Sequence, residues 1–238
     1  MDFRTGNARF ATARVAERAV IDEGLRQYML RVYNYMASGL ALTGIVAFMV
    51  AQNEALLQVI YGTPLKWVVF LAPLGLVLLL GARINKMSAT AVQAIFWLFA
   101  TLMGISLASI FLVYELPSIA RVFFITAGTF GAMSLYGYTT KRDLAGWGSF
   151  LFMGLIGIII ASVVNIFMVS SALQFAISVI GVIVFVGLTA YDTQRIKAMY
   201  VESDSTAVAS KKSIMGALRL YLDFINLFIM LLHLFGRR

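Results

Sequence analysis

Cysteine is absent from the 238 residues, histidine occurs once and proline three times. Without cysteine the chain forms no disulfide and no thiolate metal site, and a single histidine argues against a zinc cluster; binding of a hard cation by carboxylates stays open. Charge is scarce as well, with Asp, Glu, Lys and Arg making up 13% of residues against about a quarter in a soluble domain. The roughly ten-residue alternating segments that a membrane β-barrel needs are missing. No nucleophile motif, nucleotide fingerprint or metalloprotease signature appears, so the chain does not read as an enzyme and no cofactor is assigned to it. No connecting segment is long enough to form a separate soluble domain.

What the chain has in abundance is apolar sequence: 61% of residues are hydrophobic and the mean hydropathy is +0.89. Continuous runs such as FLAPLGLVLLLG and SVIGVIVFVGL need every backbone polar group satisfied within the segment once they enter lipid, which selects helices. The fold class is therefore an all-α membrane protein. Seven spans are expected, with approximate limits Val32 to Ala51, Trp67 to Ala82, Ala91 to Tyr114, Val122 to Tyr138, Trp147 to Val169, Leu173 to Tyr191 and Ile214 to Phe235. The second is short and contains Pro73, which predicts a kink or a shallow position. Residues 1–31 form a basic leader with no apolar signal-peptide core, equally compatible with an interfacial helix and with disorder, and residues 32–238 form the transmembrane domain.

The basic residues give the orientation. Six arginines of the leader (Arg4, Arg9, Arg14, Arg18, Arg26, Arg31), Arg83 and Lys86, Lys141 and Arg142, and Arg195, Lys197, Lys211 and Lys212 fall on one side, while Lys66, Arg121, Arg237 and Arg238 fall on the other. The positive-inside rule then puts the N-terminus in the cytoplasm and the C-terminus outside. This topology also accounts for the net charge of +8 and the pI near 9.9, so no nucleic-acid partner is needed.

The last span departs from a plain apolar helix. As a helix its 22 residues run about 33 Å, enough to cross a hydrocarbon layer of roughly 30 Å. It nevertheless carries Arg219, Asp223, Asn226 and His233, which at 100° per residue fall within an arc of about 80°. An ionisable group facing lipid costs several kcal/mol, so the stripe turns inward and marks a functional site, with Arg219 and Asn226 as pore-lining candidates. Asp192 ends the sixth span on the side where the seventh begins, and Asp223 lies about two turns in, so the two carboxylates can meet. At about 3 Å they do not both ionise; one keeps a proton, and such a pair senses pH. The alternative is that Asp192 caps a solvated span end while Asp223 pairs with Arg219 one turn earlier.

Arg83, at a span end on the same side, is within range of either aspartate as a latch or serves as a positive-inside anchor. Asn165 reads as interhelical glue and His233 as an interfacial residue, while Gly128, Gly131, Gly154 and Gly157 read as sites of close helix approach. SLYGYTTKR (134–142) and GLTAYDTQR (187–195) echo each other at two span ends, through duplication or shared span-end chemistry.

GAMSLYGYTTKRDL (131–144), FVGLTAYDTQ (185–194) and GALRLYLDFINLF (216–228) resemble the bacterial branch of the Bax inhibitor, or transmembrane Bax inhibitor motif, family. The resemblance spans all seven helices but not the leader. It implies a C-terminal helix wrapped by the other six and a pH-sensitive calcium leak of the cell inner membrane, gated by a two-aspartate sensor that Asp192 and Asp223 match in motif position. Arg83 matches the family's latch arginine only loosely. The expected partners are the bilayer and calcium or other cations as permeant ions. A non-conducting regulator of membrane-protein quality control that binds a membrane-bound protease is the alternative the resemblance leaves open.

Overall fold

In the computed structural model, residues 3–237 are described, with side chains from residue 23 onward. Every regular element among them is helical: α1 (Phe3–Ala51), α2 (Glu54–Tyr61), α3 (Leu65–Arg83), α4 (Ala89–Leu107), α5 (Ile110–Val113), α6 (Leu116–Thr139), α7 (Ala145–Met168), α8 (Ser171–Ala198) and α9 (Thr206–Phe235), with a single 3-10 turn at Ile84–Lys86. Seven stretches are long and apolar enough to cross a membrane: Glu23–Ala51, Leu65–Lys86, Ala89–Val113, Leu116–Thr139, Ala145–Met168, Ser171–Ala198 and Thr206–Phe235. They coincide with the seven apolar runs and are longer at most ends. Helices continue into polar residues that close their terminal hydrogen bonds, and Ser88, Ser170 and Ser205 each accept a backbone N–H at the start of α4, α8 and α9. The leader's side chains up to residue 22, with Met1, Asp2 and Arg238, lie outside the described residues; the backbone of α1 runs through Arg31 without a break. Pro73 sits inside α3, which continues past it to Arg83.

The last helix is the most enclosed. In α9, 72% of the span is buried, against 11% in α7 and 17% in α3. It packs on α1, α4, α6 and α8, while α3 stands further out against α4, and α7 against α8. Two outer helices need no large buried face because lipid tails are as apolar as leucine, and their sides carry exposed Leu78, Phe152, Ile160 and Phe167. Inside, Tyr221 of α9 is fully buried; its hydroxyl meets Thr43 Oγ1 of α1 at 2.7 Å, and Thr43 donates to the Ala100 carbonyl of α4 at 2.8 Å. Three helices are joined by one satisfied polar chain.

Helix approach is set by glycine at fewer places than the sequence suggests. A Cβ on Gly128, Gly131 or Gly157 would meet open space, whereas one on Gly154 would crowd Val184 of α8. The tightest backbone-to-backbone approach involves Gly137, where α6 runs so close to α8 that a Cβ would fall on the Ala190 carbonyl. This contact brings together the two echoing segments: Ser134 Oγ lies 2.9 Å from Thr193 Oγ1, and Lys197 Nζ donates to the Tyr138 carbonyl at 2.8 Å.

Candidate functional site

The segment GLTAYDTQR sends successive side chains to different neighbours, as a helix turning 100° per residue must. Tyr191 packs over Gly148 of α7 and its hydroxyl accepts from Arg195 Nη1 at 3.2 Å. Thr193 turns to α6. Gln194 staples the α6–α7 connection, accepting from Leu144 N and donating to Arg142 O, both at 2.8 Å. Asp192, between them, faces α9.

There it meets Asp223. The two carboxyl groups lie within hydrogen-bonding reach of each other, and Asp223 is 5% exposed. One of its oxygens, Oδ2, is buried without a hydrogen-bond partner among the described residues. Arg219, one turn before Asp223, does not close on its own helix alone: its Nη1 lies 3.8 Å from Asp192 Oδ1 on α8. The site is thus a cross-helix cluster of two carboxyls and a guanidinium rather than a local i, i+4 pair.

The cluster opens into a cavity of about 900 Å³ between α7, α8 and α9, lined by Asp192, Asp223, Arg195, Arg219 and Asn226 and reaching Met230. Asn226 donates one amide N–H to the Leu222 carbonyl at 2.8 Å, which leaves its carbonyl oxygen and its second N–H for the cavity. One wall is thus a row of oxygen-bearing groups with two arginines beside them, set in a cavity whose other lining is mainly apolar but includes Ser149, Ser162 and Tyr191. Such oxygens suit a hard cation such as Ca²⁺, and the arginines raise the electrostatic barrier to its entry.

The remaining candidates lie elsewhere. Arg83, at the end of α3, is exposed and does not line this cavity; Arg219 and Arg195 are the cations beside the aspartates. The α3–α4 turn is instead tied to α9 by Lys211, whose Nζ donates to the Ile84 and Met87 carbonyls at 3.3 Å. Asn165 holds the α7–α8 turn, accepting from Ser170 N at 2.9 Å and donating to Gln174 Oε1 at 3.2 Å. His233 Nδ1 is 3.0 Å from Gln174 Nε2 at the same end. Sequence reasoning missed Arg195, Tyr191 and Gln194. A helical projection anchored on Asp192 would have placed Arg195, three residues on, beside it.

The profile of the family described as inhibitor of apoptosis-promoting Bax1 matches residues 25–238. The inner membrane protein YbhL of Escherichia coli is 52% identical over 218 residues, covering 90% of this chain and 93% of its own. An uncharacterised protein of Rickettsia prowazekii is 49% identical over 223 residues, with 94% of each chain covered. One of Caulobacter vibrioides is 48% identical over 248 aligned positions, covering 99% of this chain and 98% of its own.

Proposed function

This chain belongs to the Bax inhibitor family, and on that footing we propose that it is an inner-membrane cation leak, passing Ca²⁺ or other cations slowly, with the protonation of Asp192 and Asp223 as its gate. The observation that carries this reading is the placement of two carboxyls from different helices within hydrogen-bonding reach of each other in the 900 Å³ cavity. While one proton is shared, the carboxyls bridge α8 and α9. When both ionise, two like charges face each other at short range, offset among the described residues by Arg219 and Arg195, so the α8–α9 contact changes with pH. A two-state helix contact of this kind is what a gate requires. Liposomes containing the purified chain, loaded with a Ca²⁺ indicator and stepped through a pH series, test the reading.

The cation at the cluster sets a further expectation. Arg219→Gln removes the guanidinium 3.8 Å from Asp192 and is expected to displace the pH profile of flux. Arg83→Ala is expected to leave basal leak within about twofold of wild type, because an exposed charge at a span end contributes little. A larger change from Arg83→Ala than from Arg219→Gln, in equally folded proteins, would return the latch role to Arg83.

The orientation belongs to the same proposal: Met1 in the cytoplasm and Arg238 outside, as the basic-residue asymmetry requires. Reporter fusions at the two ends are expected to be active in opposite compartments. Both ends reporting one compartment would mean that a span has been miscounted.

A further inference from the structure

A second large opening lies on the other side of α9. Helices α1 and α6 both pack on α9 yet scarcely touch each other; a hydroxyl pair, Tyr33–Ser134, 2.6 Å apart, joins them. The gap is a groove of about 710 Å³, walled by Met36 and Leu40 of α1 and by Ala127 and Phe130 of α6, and floored by Phe224 of α9. Of the three hydroxyls in its lining, those of Tyr33 and Ser134 satisfy each other and Thr193 and that of Tyr138 stands at one end, leaving little in the walls between to hold water. An apolar space of this kind stays dry or takes an apolar guest. Exposed Leu30 and Leu135 stand along its mouth, so the guest enters sideways, from the membrane.

The two ends of the groove differ in charge. At the leader end it finishes at Arg26 and Tyr138. Arg26 is 66% exposed and, among the described residues, its ion pair is a surface one with Glu23 at 3.3 Å, an interaction weak enough to yield to a phosphate. Lys197 lies 4.8 Å over the Tyr138 ring, placing a second cation at this rim. Beyond Phe123 and Phe224 the seam continues as a separate groove of about 460 Å³ whose lining includes no charged residue. The length also fits. From Arg26 to Ala41 along α1 is about 22 Å, close to one headgroup layer of about 6 Å plus half of a 30 Å hydrocarbon core.

We propose that this groove is a binding site for one anionic glycerophospholipid of the leaflet on the basic side, with an acyl chain laid between α1 and α6 over Phe224 and the phosphate at Arg26. A juxtamembrane cation favours an anionic headgroup over a zwitterionic one by about fivefold. The site does not depend on ion passage.

Native mass spectrometry of the purified full chain, titrated with phosphatidylglycerol or phosphatidylcholine, tests the proposal. Wild type is expected to retain one phosphatidylglycerol about fivefold more strongly than phosphatidylcholine, and Arg26→Gln is expected to abolish that preference. Gly131→Leu fills the groove where a Cβ meets nothing and is expected to lose the bound lipid of either kind while keeping the wild-type melting temperature. Ala37→Phe plugs the opposite wall at an exposed position and serves the same purpose should Gly131→Leu fail to fold. Equal retention of the two lipids by wild type, or undiminished phosphatidylglycerol binding in a folded plugged variant, would overturn the proposal. So would a chain dimer that a plugged variant dissolves, since the groove would then belong to a second copy.

Discussion

Asp192→Asn and Asp223→Asn are each expected to flatten the pH dependence of ion flux. Asparagine keeps the size and shape of aspartate but does not titrate, so either substitution leaves a lone carboxyl without the like charge that couples it to its neighbour. Because the groups sit within hydrogen-bonding reach of each other on α8 and α9, they gain and lose protons as a unit. The double variant should therefore add little to either single one, a non-additivity that independent sites more than about 7–10 Å apart do not show. Flux through reconstituted wild-type and variant chains across one pH series is the measurement. If both single variants keep the wild-type profile, the pair is not the sensor.

Gly137→Val is expected to produce the largest loss of stability. At Gly137 the obstacle is the Ala190 carbonyl of α8, which is backbone and cannot rotate aside as a side chain would. A branched side chain there must push α6 from α8, straining the Ser134–Thr193 and Lys197–Tyr138 bonds alongside. Overpacking of this kind costs about 1–3 kcal/mol or more. Gly128→Ala is the control, since its Cβ meets open space and alanine favours a helix. Thermal unfolding in detergent should show Gly137→Val well below wild type and Gly128→Ala at or above it; equal melting of the two would refute the packing argument.

The two substitutions also mark what could be read in the sequence. The seven spans were legible because a long apolar run has few structural meanings, and Asp223 stood out because a carboxylate in such a run needs a reason to be there. Its meeting with Asp192 followed from topology, since both lie near the same end of adjacent spans. Gly128, Gly131 and Gly137 look alike in sequence, however, and only their distances to other helices separate a packing site from an open one. Arg83 and Arg219 were likewise both cations near the right membrane face. The structure brings Arg219 to Asp192 because α9 turns that face toward α8, a rotation that a polar stripe suggests but whose partner it does not name. The outer positions of α3 and α7 were hidden for a related reason: a helix bathed in lipid and one buried among helices are equally apolar.

The central claim is that the chain conducts cations by itself and that proton binding controls the rate. Ca²⁺ entry into indicator-loaded liposomes holding only the purified chain, recorded while the pH on the basic-loop side is varied, bears on it most directly. The account predicts slow entry above that of empty liposomes, with a rate that changes with pH. Absence of entry at every pH, from chain shown to be folded and inserted, would contradict it.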